Sequence, residues 1–179
     1  SVDGSANITD DTATRTERYS LAGVVRRPLQ GQNYYQGQLS FLRNTELDLN
    51  VRSLVGGGVG RYLVRSNRAE WDIGVGLGYN HENYVGVDPV DSLELLLGTN
   101  FSIFRYDFPE TDIGGSIYLL PSLTKSGRYR SEADLHANYE FVDDLYFELR
   151  VYGSYDSEPP SPKAPSSDYG VVTSLGYKF

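Results

Sequence analysis

The chain has no cysteine, so neither a disulfide framework nor a thiolate metal site is open to it. It has no methionine either; the expectation is a chain processed or shortened ahead of Ser1, as removal of a secretory signal would leave it. Long apolar runs are missing: the longest, such as LELLLG at 93–98, fall far short of the roughly 18 residues a membrane-spanning helix needs. That excludes a helical span but not a β-barrel, whose signal lies in alternation. Positive charge is also scarce, with 16 Lys and Arg against 24 Asp and Glu and a formal net charge of −8. So acidic a chain is not built for nucleic acid. What it has in quantity is glycine (19) and tyrosine (15), and at 179 residues it reads as a single domain over 1–179.

The clearest pattern is RYRSEADLHANYEF at 128–141. Every even position, Arg128, Arg130, Glu132, Asp134, His136, Asn138 and Glu140, is polar or charged. The odd positions are Tyr129, Ser131, Ala133, Leu135, Ala137, Tyr139 and Phe141. Period two over this length predicts a strand with one wet and one apolar face. The same alternation sets Leu145, Phe147, Leu149 and Val151 against Glu148 and Arg150, and Leu93, Leu95, Leu97, Phe101 and Ile103 against Ser92, Glu94, Asn100 and Ser102. Turn-forming clusters separate ten predicted strands: 1–9, 14–27, 33–43, 47–64, 69–84, 91–106, 112–121, 128–141, 145–156 and 168–179. Several reach the 9–11 residues that cross a bilayer at a tilt.

A soluble barrel buries the apolar face; a membrane barrel turns it to lipid and lines its lumen with the polar one. Aromatic residues near strand ends favour the membrane: Tyr35, Trp71, Phe108, Phe141, Tyr177 and Phe179 are expected in one girdle, and Tyr84, Tyr129 and Tyr155 in the other. The closing Leu175, Tyr177 and Phe179 resemble the assembly signal of bacterial outer-membrane barrels. The expected fold is all-β, an antiparallel up-and-down transmembrane β-barrel of about ten strands in the bacterial outer membrane. Its partners would be the lipid bilayer, lipopolysaccharide and other envelope proteins. Segments 65–68, 107–111 and 142–144 then become short periplasmic turns, and 85–90, 122–127 and 157–167 outer loops.

PSLTKSGRYRSEADL, LYFELRVYGSYDSEPP and DYGVVTSLGYKF, with LNVRSLVGGGVGRYLV and WDIGVGLGYNHENY before them, resemble a bacterial family of salt-induced outer-membrane proteins, a domain of unknown function. The resemblance runs over about 47–179. It implies a transmembrane β-barrel, and a longer parent of twelve strands, but it transfers no catalytic residue.

Candidate chemistry is sparse. His136 lies mid-strand on the polar face near Asp134, Asn138 and Arg150, and a serine–histidine–carboxylate lipid hydrolase on a barrel would need such a group. No serine stands out by motif, so a histidine in a polar lumen network is the expectation, and His81 reads as loop decoration. Arg52, Glu94, Arg128, Arg130, Glu132, Asp134, Glu148 and Arg150 form the more informative set. In a pore they would set ion selectivity; in so narrow a barrel they would interlock and block the lumen. Facing lipid at the bilayer midplane, each Arg would cost about 2–4 kcal/mol, so this face must point inward. The acidic pairs Asp10–Asp11 and Asp88 with Asp91 match no calcium-loop spacing and read as solvated turns. No cofactor or metal is expected, and the functional expectation is a non-enzymatic narrow pore or structural envelope component, with a subunit of a larger envelope assembly as the alternative.

GGGVGRYLVRSNRAEWDIGVGLGYN at 56–80 has the glycine content of a phosphate cradle but not its layout. A cradle needs strand, glycine turn and helix. Here the glycines lie inside two strands. A three-residue turn centred on Asn67 predicts facing pairs Gly60–Gly74, Gly58–Gly76 and Gly56–Gly78 on the lumen side, with Val59–Val75 and Leu63–Trp71 outside.

Overall fold

The computed structural model describes residues 2–11, 16–45, 48–86, 88–142, 144–159 and 165–177, with side chains at Tyr19 and from Leu21 onward. The described residues form ten strands: β1 (Val2–Asp11), β2 (Thr16–Pro28), β3 (Asn33–Asn44), β4 (Leu49–Arg65), β5 (Ala69–Tyr84), β6 (Val90–Arg105), β7 (Thr111–Pro121), β8 (Tyr129–Val142), β9 (Leu145–Asp156) and β10 (Ser167–Tyr177). They make one sheet in strictly sequential order, every neighbour antiparallel. The fold is thus an all-β, up-and-down antiparallel sheet. The ladder runs from β1 to β10 without a β1–β10 pairing.

Burial follows parity along the strands. On β5, Trp71, Ile73, Val75, Leu77 and Tyr79 are exposed, while Asp72, Gly78, Asn80, Glu82 and Tyr84 are buried. On β3, β6 and β8 the even positions likewise face inward. The outcome inverts a soluble protein. The buried set includes Asp72, Glu82, Glu94, Arg128, Arg130, Glu140 and Asp156, whereas the exposed set is a band of Leu, Ile, Val and aromatic side chains. The apolar clusters found inside among the described residues are small, Leu54, Leu96 and Leu120 against Tyr118, and Leu49 with Tyr84.

The sheet curls strongly enough for distant walls to touch. Asn44 on β3 donates to Asp168 on β10 (3.5 Å), and Arg130 on β8 reaches Glu94 on β6 (2.7 Å). One rim carries the connections 29–32, 66–68, 106–110 and 143–144; the other carries 45–48, 85–89, 122–128 and 157–166. We call them the turn rim and the loop rim. The centre of the last connection, 160–164, lies outside the described residues, as does Phe179. Asp10 and Asp11, read above as a turn, are strand residues of β1, with Asp11 paired to Thr16.

Candidate functional site

The glycine pairs are the predicted ones, Gly56 with Gly78, Gly58 with Gly76, Gly60 with Gly74 and Val59 with Val75. Two expectations are corrected: the turn is centred on Asn67 and Arg68, with Ser66 N–H donating to Ala69 O and Arg65 paired with Glu70, and the register is shifted by one before it reaches the glycines. A β-bulge between Tyr62 and Val64 brings Val64, not Leu63, opposite Trp71.

The space above these glycines is taken by rings and leucine. A Cβ on Gly60 would stand 2.3 Å from Tyr34 Cζ, because the Tyr34 ring lies over its cross-strand partner. Gly98 lies under Tyr118 and Gly170 under Tyr152, again as cross-strand pairs. Leu96 covers Gly56 and Gly78. At Gly58 and Gly76 the opposing backbone itself comes close, with Cβ positions 2.3 Å from Val75 O and 2.5 Å from Gly57 O. Glycine is needed there because any side chain would run into the facing backbone.

Toward the loop rim, β4, β5, β6 and β9 and the N-terminal end of β8 send charges to one place. Arg128 Nη2 donates to Glu82 Oε2 (2.7 Å) and to Asp156 Oδ2 (2.7 Å), and its Nε donates to Asp156 Oδ1 (3.1 Å). Arg52 Nε donates to Glu82 Oε1 (2.7 Å) and its Nη2 to Tyr84 OH (3.0 Å). Arg130 grips Glu94 with two bonds (3.1 and 2.7 Å), while Asn80 donates to Ser92 and Glu94 at 3.4 Å. Three guanidiniums thus meet three carboxylates out of water. Arg52 also lies 3.9 Å from Asp156, so two guanidiniums share Glu82 and Asp156, whereas Arg130 is the one cation on Glu94 among the described residues and its loss would leave that carboxylate buried and unpaired. Arg128 stands just ahead of β8; burial disfavours its charge, but the hydrogen bonds of Asp156 and the carboxylate of Glu82 more than offset this and hold its pKa above the ordinary guanidinium value.

Toward the turn rim, Asp72 is the centre. It accepts from Tyr34 OH (2.6 Å), Asn100 Nδ2 (2.9 Å) and Arg26 Nη1 (3.1 Å). Tyr118 OH donates to Asn100 Oδ1 (2.8 Å), and Arg26 stacks 4.6 Å from the Tyr34 ring centroid. Strands β2, β3, β5, β6 and β7 are thereby tied together across the inner face.

A third group, on β7–β10, is open to water. Arg150 Nη2 donates to Asp134 Oδ2 (2.6 Å), Ser174 donates to Glu148 (2.8 Å), and His136 Nε2 lies 3.6 Å from Asp112 Oδ2. Glu132, on the same side, touches Arg130 at 3.5 Å and is half exposed. Among the described residues no serine is hydrogen-bonded to His136, and none form a cluster able to hold a metal ion.

Of the residues singled out from sequence, Arg52, Glu94, Arg128, Arg130, Glu132, Asp134, His136, Glu148, Arg150 and the six glycines share the inward parity. Tyr35, Trp71, Phe108, Phe141 and Tyr177 are exposed at the turn rim, and Tyr129 and Tyr155 at the loop rim with rings 5.8 Å apart. Tyr84 is the correction: it shares parity with Glu82, points inward, and is buried against Leu49 and Arg52. His81 faces outward, with Nδ1 2.6 Å from Asp91. Sequence reading passed over Arg26, Tyr34, Asp72, Glu82, Tyr118 and Asp156 as members of a network. Asp72 and Glu82 carried a signal, being charges at inward parity on either side of the three β5 glycines.

No curated protein and no solved structure matches this chain. A family model does, over residues 1–179, and the chain belongs to the family described as "Protein of unknown function, DUF481".

Proposed function

We propose that this chain is an integral β-barrel of the bacterial outer membrane, non-enzymatic and without a cofactor, whose interior is interlocked so that it serves as a structural envelope component. The observation that carries the reading is the inverted burial: charges inside, a continuous apolar band outside. Leaving such a band in water is unfavourable at about 25 cal/mol for each Å² of apolar surface, and a bilayer removes that cost. Closure of the sheet follows from the same physics, since an open edge in hydrocarbon leaves backbone groups unsatisfied. β1 and β10, alone or with further strands, are the edges that closure would join. The shorter turn-rim connections then face the periplasm, and the loop rim meets lipopolysaccharide.

The plugged interior is supported by the Arg128 and Asp72 networks, which bridge non-adjacent strands at two levels. A narrow pore is the second reading, favoured by the water-exposed strip of Asp112, Asp134, His136, Glu148 and Arg150. Planar-bilayer recording decides between them. The plugged barrel should show no steady single-channel conductance, and Arg128→Ala should produce flickering openings. Steady conductance of the wild-type protein would overturn the plug in favour of the pore. The membrane reading has its own check: the unheated protein should run anomalously on gels and shift on boiling, and a chain soluble without detergent would refute it.

A further inference from the structure

Two groups of arginines among the described residues stand apart. The inward ones, Arg26, Arg52, Arg128, Arg130 and Arg150, each form an ion pair with a carboxylate. Arg27, Arg61, Arg65, Arg68 and Arg105 are all exposed, all lie at the turn rim, and none of them makes an ion pair. Their contacts are with rings and backbone: Arg27 lies 6.0 Å from the Tyr35 ring centroid, Arg65 lies 4.8 Å from that of Tyr62, and Arg105 donates to Phe108 O (3.2 Å).

Acidic groups on that rim do not neutralise them. Glu70 and Asp107 form no ion pair, Glu110 accepts from Tyr146 OH (2.8 Å), and Glu140 accepts from the backbone N–H of Glu110 and Asp144. The loop rim is different: Lys125 pairs with Glu158 (3.4 Å) and His81 with Asp91.

We propose that the turn-rim arginines on the β2–β6 side form a docking surface for the phosphates of anionic phospholipids in the periplasmic leaflet. The inference rests on the membrane reading above. On two strands the arginine stands at the edge of the apolar band, two residues beyond an exposed aliphatic side chain, Val25 before Arg27 and Ile103 before Arg105, while Arg61 follows Val59 with exposed Leu63 and Val64 between it and the turn. At that depth an aliphatic stem lies against acyl chains while the guanidinium reaches the headgroup layer, and its fork of donors matches a phosphate bidentately. Exposed Trp71 and Tyr35 at the same rim suit the interfacial layer. Phospholipid rather than lipopolysaccharide is the occupant because the short turns place this rim at the periplasmic leaflet.

The test compares the wild-type chain, a variant carrying Arg27→Gln, Arg61→Gln, Arg65→Gln, Arg68→Gln and Arg105→Gln, and a loop-rim control, Lys125→Gln. Each is inserted into vesicles of phosphatidylcholine alone, of phosphatidylcholine with an equal part of phosphatidylglycerol, and of phosphatidylcholine with lipopolysaccharide. The lipid retained after detergent extraction is then quantified. Wild type and control should retain phosphatidylglycerol about tenfold more than the quintuple variant, and raised salt should remove the difference. Equal retention by all three overturns the proposal, as does lipopolysaccharide retention that depends on the same five arginines. Because the substituted side chains are exposed and unpaired, folding is expected to be unchanged, and the gel shift verifies it. Failure of the wild type to insert even into phosphatidylcholine would refute the membrane reading itself, whereas insertion without a phosphatidylglycerol effect refutes only the docking surface.

Discussion

Two arginine–aspartate pairs on the inner face have almost the same contact distance, 2.7 Å for Arg128–Asp156 and 2.6 Å for Arg150–Asp134. Their surroundings differ completely. The Arg128 side chain is 1% exposed and is shared with the fully buried Glu82, whereas Arg150 and Asp134 are 39% and 33% exposed. Distance alone therefore says little about what a pair contributes. In the first case no water can replace a lost partner and the cost falls on the buried charges that remain; in the second, water takes over. The interior thus has a dry part, bridged from wall to wall, and a wet strip along β7–β10.

The largest expected effect comes from breaking the dry side. Arg128→Ala should lower the free energy of unfolding by about 3 kcal/mol, read from urea melts, because Asp156 is left with Arg52 at 3.9 Å and Glu82 loses one of its two cations. The double Arg128→Met, Asp156→Asn variant, which leaves Glu82 paired with Arg52, should recover most of that loss. If it remained as unstable as the single variant, buried charge would not be the cause.

Glycines sharpen the same contrast at smaller scale. Gly60→Ala puts a methyl group into the Tyr34 ring and disturbs its bond to Asp72, so a loss of about 1–3 kcal/mol is expected in the same melts. Gly176 also has inward parity, but on β10, where nothing lies within 4 Å of its Cβ position. Gly176→Ala should leave the melting curve nearly unchanged. Equal costs at the two sites would mean that strand propensity, not packing, sets the response.

The smallest effect belongs to the wet pair. Arg150→Ala should cost about 0.2–1 kcal/mol, after allowance for solvent screening, and added salt should shrink the difference from wild type. A loss as large as that of Arg128→Ala would show that this strip is drier than its exposure indicates.

Much of the architecture was legible because it depends on short-range rules. Period-two alternation sets which side chains share a face, and the Gly56–Gly78, Gly58–Gly76 and Gly60–Gly74 pairs follow from a turn and a bulge whose one-residue offsets cancel. Parity was sufficient to assign Arg130, Glu94 and Asp134 to one face, and it would have assigned Tyr84 to that face as well. The bulge at Tyr62–Val64 escaped prediction because one added residue leaves the alternation on either side intact.

Other features belong to the tertiary structure alone. That Arg128 meets Glu82, that Asp72 gathers Tyr34, Asn100 and Arg26, and that Asn44 reaches Asp168 across 124 residues depend on how far the whole sheet curls. Curvature is summed over every strand, and no local pattern encodes the sum. The same holds for the glycine strip. Its sequence established a bare inner surface, and only the folded chain decided that Tyr34 and Leu96 would fill part of it while two backbones closed on each other at Gly58 and Gly76.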